Sequence, residues 1–210
     1  AYMWKRAKGY MDVVAYTGDG GTNHSINHSL AVTPEMVWFK KRNGTGNWLV
    51  YHKDLQSQAY LWLHDNNAAG SPTDYFGTSS FDSTSVYLGS YSAVNGSGIS
   101  AIAYLFATLD GISKVGSYTG NGSSQIIDCG FTSGARFVLI KSTTEARSWC
   151  VFDTARGIVA GNDPVLYLHA TNAEVTSIDW IDPHSTGFEI VTSQGNINGN
   201  GQSYIFYAIA

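Results

Sequence analysis

Charge is scarce in this chain of 210 residues: Asp, Glu, Lys and Arg together make up 13%. With 43% hydrophobic and 13% aromatic residues, the sequence reads as a packed chain rather than one kept disordered by charge. Basic residues are fewer than acidic ones, 12 against 16, for a formal charge of -4. The positive field that gathers nucleic acid or an anionic membrane surface is missing, so neither is expected as a partner. Proline is limited to 4 residues and cysteine to 2. Cys129 and Cys150 are too few for a disulfide framework at this length, so stability must come from a core, with both thiols expected as small buried apolar side chains. No apolar run approaches the roughly 20 residues that span a bilayer, which excludes insertion by a helix. The opening Ala1-Tyr2-Met3-Trp4-Lys5-Arg6 lacks the basic and apolar regions of a signal peptide, and a soluble chain is expected.

Glycine, at 23 residues, is abundant, and it falls into a pattern that repeats at a spacing of about 102 residues. Tyr16-Thr17-Gly18-Asp19-Gly20 returns as Tyr118-Thr119-Gly120-Asn121-Gly122, and Met36-Val37-Trp38-Phe39-Lys40 returns as Phe137-Val138-Leu139-Ile140-Lys141. Trp48-Leu49-Val50-Tyr51 corresponds to Trp149-Cys150-Val151-Phe152, and Asn95-Gly96-Ser97-Gly98 to Asn198-Gly199-Asn200-Gly201. Two units follow, residues 8–107 and 108–210, each ending on an apolar run. The first 18 residues align without a gap on residues 103–120 with 7 identities. Residues 1–7 are therefore expected to be the closing strand of a preceding unit, or a linker, in a longer array, docked on an edge of this or another chain.

Short β-branched and aromatic segments separated by Gly, Asn, Asp and Ser predict an all-β fold of tandem antiparallel β-sandwich units of about 100 residues, lectin-like or jelly-roll-like. The expected strands of the first unit are 10–17, 22–29, 35–42, 47–53, 59–65, 84–91 and 99–107. Residues 36–39 and 137–140 are apolar on both faces, as in a central strand under a second layer or at a contact between units or subunits. The Gly18–Gly21 and Gly120–Gly122 loops read as hairpin turns, since no helix follows to receive phosphate.

Tyr118-Thr119-Gly120-Asn121-Gly122, Ile126-Ile127, Arg136 through Lys141, Trp149, Asp153-Thr154-Ala155-Arg156-Gly157, Gly187-Phe188 and Asn198-Gly199-Asn200-Gly201 resemble a repeated domain of tail-fibre-like structural proteins of marine bacteriophages. The resemblance covers nearly the whole chain and is strongest in the second unit. The first unit departs from it at His52-Lys53-Asp54-Leu55, where the Asp-Thr-Ala-Arg-Gly string belongs. It implies a non-enzymatic virion protein on the particle surface or tail, assembled with other virion proteins and as a homo-oligomer such as a trimer. It brings no catalytic residues and no cofactor.

Sugars stack on aromatic rings while neighbouring planar polar groups take their hydroxyls. Trp180 between Asp179 and Asp182, Tyr75, and Trp62 beside His64 and Asp65 are the candidate platforms for a host surface glycan, whereas Trp48 and Trp149, recurring at the same place in both units, read as framework. Asp153 and Arg156 read as a structural turn. The six histidines lack zinc spacing; His24 and His28 share a strand face but make only two ligands, and no metal is assigned. The Asn-x-Ser/Thr triplets at Asn23, Asn27, Asn43, Asn95 and Asn121 read as turn chemistry. Two rival roles remain: a ligand-free capsid decoration or fibre spacer, and a polysaccharide-degrading enzyme. The enzyme would need two of Glu174, Asp179, Asp182 and Glu189 to converge in a groove.

Overall fold

The computed structural model describes residues 3–71 and 74–210. The chain is all-β, built from several antiparallel sheets in a sandwich-like arrangement. It forms two compact units, one of Ala1–Leu63 with Gly70–Thr108, the other of His64–Ala69 with Leu109–Ala210. Residues 64–69 lie in the chain among those of the first unit but belong to the second.

Unit 1 contains β1 (Met11–Thr17), β2 (His24–Asn27), β3 (Met36–Lys41), β4 (Trp48–His52), β5 (Leu61–Trp62), β6 (Ser85–Leu88), a single helical turn α1 (Ser92–Asn95) and β7 (Ser100–Phe106). Its five-stranded sheet runs β1-β7-β3-β4-β5, and β2 pairs with β6. Period-two alternation decides which residues face the core. Val37 and Phe39 of β3, Leu49 of β4, and Ala103 and Leu105 of β7 pack with Ile26 of β2 and with Val86 and Leu88 of β6. The opposite face of β3 is apolar too and is covered: Trp38 lies 4.7 Å from the ring of Phe106, and Trp4 stands edge-on to Phe106 at 5.5 Å.

Trp4 therefore caps the outer face of the five-stranded sheet. Residues 3–7 do not form the expected closing strand; only Ala7 bridges to Met11, and the segment is held by the Trp4 ring and by Arg6, whose guanidinium lies 2.6 Å from the buried Asp12. Ala1 and Tyr2 lie outside the described residues.

Unit 2 contains β8 (Ser113–Thr119), β9 (Gln125–Asp128), β10 (Phe137–Ser142), β11 (Cys150–Asp153), β12 (Leu166–Tyr167), β13 (Ile181–His184), β14 (Gly187–Ile190) and β15 (Ser203–Ile209). Its five-stranded sheet, read from the β8 edge, runs β8-β15-β10-β11-β12, so the strand order matches that of unit 1 element for element. The second layer here has three strands, β13-β14-β9. Ile127, Ile181, Phe188 and Ile190 from that layer meet Val138, Ile140, Cys150, Phe152, Tyr204 and Phe206 from the larger sheet. Cys129 and Cys150 are both buried and unbridged; desolvation pushes the Cys129 thiol up to about 12.

The glycine loops are not hairpins. β1 pairs with β7 while β2 pairs with β6, and likewise β8 pairs with β15 while β9 pairs with β14. Each loop thus carries the chain from one sheet to the other, and a buried asparagine clasps it. Asn95 is fully buried; its Oδ1 accepts the Asp19 N–H at 3.2 Å, and its Nδ2 donates to the carbonyls of Gly21 at 3.0 Å and Gly89 at 2.8 Å. Asn198 repeats the pattern, accepting from the Asn121 N–H at 3.0 Å and donating to Ser123 and Thr192 carbonyls at 2.7 and 2.6 Å. The backbones approach so closely that a Cβ on Gly18 would sit 2.4 Å from the Gly96 carbonyl oxygen, and one on Gly120 would sit 2.3 Å from that of Gly199. Only glycine fits there.

Replacing Asn198 by Ala strands an N–H and two carbonyls in the interior, and should cost about 2 to 4 kcal/mol in urea unfolding. Asn198→Asp should be worse at pH 7 than at pH 4, because the ionised carboxylate would face the Ser123 and Thr192 carbonyls while the protonated acid can still donate to one of them. Wild-type stability for either variant would remove the clasp from its place in the fold.

Candidate functional site

Trp62 and Tyr75, two of the residues nominated from sequence, come together in unit 1. On β5, Leu61 turns into the core while Trp62, on the other face of the strand, stays half-buried. Tyr60, two residues earlier, shares the face of Trp62, and the two rings are 4.9 Å apart. Tyr75 lies 4.5 Å from Tyr60 and 5.7 Å from Trp62, and Tyr91, leading into α1, lies 4.1 Å from Tyr75 and 6.2 Å from Trp62. The four half-buried rings rest on the edge of the core and form one continuous aromatic surface. Tyr60 is seated by backbone pairing with Gly70, where a Cβ would meet its ring at 2.2 Å. Such a surface offers ring faces to the C–H side of a sugar.

His64 and Asp65 do not join this group; they belong to unit 2. Asp65 closes a small turn there, its oxygens accepting from the backbone and side-chain N–H groups of Asn67 at 3.0 Å each. The same segment lies along β10, where the Ala69 N–H donates to the Thr143 carbonyl at 2.9 Å. Beneath it is Lys141, a fully buried lysine whose Nζ donates to the carbonyls of Ser142 at 2.7 Å and Asn66 at 3.4 Å. Desolvation pulls the Lys141 ammonium down to about 8, with the Asp65 carboxylate acting in the opposite sense. His169 is held below its ordinary value by its own burial and by the charge of Lys141. Sequence reading missed Lys141; the one available signal was a lone ammonium ending an otherwise apolar strand.

Trp180 is not an exposed platform. It is only 8% exposed, belongs to the unit 2 core and stands edge-on to Phe152 at 6.4 Å. Its backbone N–H and that of Ile181 donate to the buried carboxylate of Asp163 at 3.1 and 2.9 Å, which pins the entrance to β13. Loop-like surroundings in the sequence hid an indole that points inward. Asp179 is exposed beside it.

Asp182 and Glu189 are opposite partners on β13 and β14, so their Cβ atoms share one sheet face at the spacing of about 4.5 to 5.5 Å usual for such pairs. The Ser124 hydroxyl donates to Glu189, and Ile126, the next residue across the sheet, is 53% exposed. Glu174 lies apart from this pair, 3.5 Å from Nε of Arg156.

Asp153 and Arg156 close the turn after β11. The Asp153 carboxylate accepts the Arg156 backbone N–H at 2.9 Å and lies 2.7 Å from its guanidinium, which also donates to the Val151 carbonyl at 3.1 Å. In unit 1 the matching position is the buried His52, and the turn carries no arginine; Lys53 instead reaches Glu35 at 2.7 Å. His24 bonds to Asn95 Oδ1 at 2.6 Å and His28 to the Asp82 carbonyl, so each is engaged within its own unit. Among the described residues, no three His, Cys, Asp or Glu side chains gather as metal donors.

The model of the family described as Domain of unknown function (DUF7483) matches residues 5–210, and the chain belongs to this family. No curated protein matches the chain, and no solved structure does.

Two outcomes follow from these placements. Trp180→Ala should destabilise unit 2 by about 3 to 5 kcal/mol, the cost of emptying a packed aromatic site. Trp62→Ala, at the edge of the core, should cost less than about 2 kcal/mol. Chemical denaturation of the two variants compares them directly. For Lys141, the folded value lies below the roughly 10.4 of an unfolded lysine, so the folded state binds fewer protons between them. The penalty is fully present below pH 8 and is relieved as pH rises through about 8 to 10.4. Lys141→Met should therefore gain most over the wild type near pH 7 and lose that advantage by pH 10; a pH-independent difference would contradict the assignment.

Proposed function

We propose that this member of a family of unknown function is a bacteriophage structural protein, built of tandem β-sandwich units of about 100 residues and displayed on a tail fibre or other host-facing appendage. The observation that carries this reading is the identical strand order of the two units, because repetition of one fold along a chain is how length is built from a short repeat. The resemblance of the glycine, asparagine and Asp-Thr-Ala-Arg-Gly strings to phage fibre domains points the same way. The low charge content suits a rigid element whose surface is made of turns and hydroxyl side chains. Host attachment falls to the aromatic surface of Tyr60, Trp62, Tyr75 and Tyr91, on which a surface glycan can stack, and neither a cofactor nor a metal has a role. A second reading, cleavage of surface polysaccharide, draws only on the facing carboxylates of Asp182 and Glu189.

Gold-labelled antibody against the chain should decorate intact phage particles at the tail or an appendage. A fluorescent fusion of the full chain should be retained on host cells, with retention reduced at least tenfold by Trp62→Ala at a temperature where the variant remains folded. Labelling of the capsid alone, with no retention on cells, would favour the decoration role. Release of reducing sugar from host polysaccharide, abolished by Glu189→Gln, would favour the enzyme.

A further inference from the structure

Unit 1 departs from unit 2 after β4, and that departure opens a cleft of about 390 Å³. In unit 2 the turn after β11 is tied down by Arg156 through its bonds to Asp153 and Val151. In unit 1 the chain runs on through Lys53, Leu55, Gln56 and Gln58, and the cleft forms between this stretch and residues 76–81. The volume lies within the range of about 300 to 1,000 Å³ of small-ligand sites and near its lower end.

Its lining is of two chemical kinds. Tyr51 lies 4.5 Å from Phe81 and 5.4 Å from Phe76, so three rings meet there. Amides and hydroxyls line it as well, those of Gln56, Gln58, Thr78 and Ser80 among them. Gln58 is the unusual residue. Its backbone is left-handed, at φ 64°, a conformation that is strained for a non-glycine residue and persists where the surrounding structure enforces it. Its Nε2 donates to the Gly77 carbonyl at 3.1 Å, while its Oε1 is buried with no hydrogen-bond partner among the described residues. Gly77 admits no side chain, since a Cβ would lie 2.3 Å from Asn23 Oδ1 and 2.8 Å from Tyr87 Cβ. The Gln58–Gly77 bond thus ties the two stretches of the cleft together at its floor.

Charge narrows the class of ligand. Among the described residues Lys53 is the one charged residue lining the cleft, and Glu35 neutralises it at 2.7 Å; the other oxygen of Glu35 is taken by the N–H and hydroxyl of Thr108. Among these lining residues an anionic sugar would find no uncompensated cation, and a cationic one no free carboxylate. Rings together with neutral donors and acceptors in one lining match a molecule with a C–H face and a hydroxyl edge.

We propose that this cleft binds a neutral hexose unit of a glycan. The site is separate from the aromatic surface of Tyr60, Trp62, Tyr75 and Tyr91; it rests on the reading of the chain as a glycan-binding appendage and names the sugar class for it.

The test is a nuclear magnetic resonance titration of the full chain. The probes are glucose, galactose, mannose and N-acetylglucosamine and their β1,4-linked disaccharides, with glucuronic acid as the acidic comparison. At least one neutral probe should shift the backbone amides of residues 51–58 and 76–81, with a millimolar or tighter Kd. Thr78→Trp, which fills the cleft from an exposed rim position, should weaken that binding at least tenfold with the melting temperature unchanged, and so should Phe81→Leu. Glucuronic acid should bind no tighter than glucose. Unmoved amides in these two stretches, wild-type binding by Thr78→Trp, or a preference for glucuronic acid would each overturn the proposal. A chain that labels phage particles and leaves these amides unmoved loses the cleft alone; one that binds the sugar here and is absent from particles keeps the cleft and loses the appendage.

Discussion

Each unit hangs on one buried side-chain amide. A two-layer β fold must carry its chain from one sheet to the other, and the crossing leaves backbone groups that no strand ladder can satisfy. Asn95 and Asn198 satisfy them, each tying the crossing loop to the return before the last strand of its unit. A carboxamide suits this position because it accepts once and donates twice; a carboxylate could only accept, and a hydroxyl has a single hydrogen to give to two carbonyls. The closeness of Gly18 to Gly96, and of Gly120 to Gly199, follows from the same geometry. So does the engagement of the tyrosine hydroxyls that precede the glycines: Tyr16 donates to the Val94 carbonyl and Tyr118 to that of Ile197. In the Asn-Gly-Ser sequence at Asn95, which reads as turn chemistry, the asparagine side chain is sealed inside the protein.

This also explains which parts of the structure were legible beforehand. All seven expected strands of the first unit are present, because alternation and turn residues are local signals and the core uses them directly. The glycine loops were misread because the same Gly-rich strings serve a hairpin and a crossing between sheets; only the long-range pairing of β1 with β7 and β2 with β6 separates the two. Trp180 was misplaced for a related reason. Its neighbours Asp179 and Asp182 are polar, but the strand beginning at Ile181 and the bonds to Asp163 turn the indole inward. The aromatic surface was half visible: Trp62 and Tyr75 could be named singly, while Tyr60 and Tyr91 join them through folds of the chain that no short window contains.

The two units therefore divide sameness from difference in a consistent way. The clasp, the five-stranded sheet and the order of its strands are common to both. What differs lies at the periphery: an arginine-tied turn in unit 2 against an open cleft in unit 1, and a third strand, β13, beside β14 in unit 2 against a pair of strands in unit 1. The framework is shared while the margins are unlike, and the features that make unit 1 different are also those that bring aromatic rings and amides together.

The segment His64–Ala69 bears on how such a chain can be synthesised. It belongs to the second unit, yet lies between strands of the first. A ribosome delivers it before β8 to β15 exist, so it emerges well ahead of the sheet it joins and has to wait, unpaired, until β10 is complete. Unit 1 can collect its own strands as soon as β7 appears, whereas unit 2 finishes only when a piece made earlier is fitted in. Dividing the polypeptide after residue 108 would accordingly yield not two intact halves but one half carrying a spare segment and another lacking one, with Lys141 stripped of the cover that buries it.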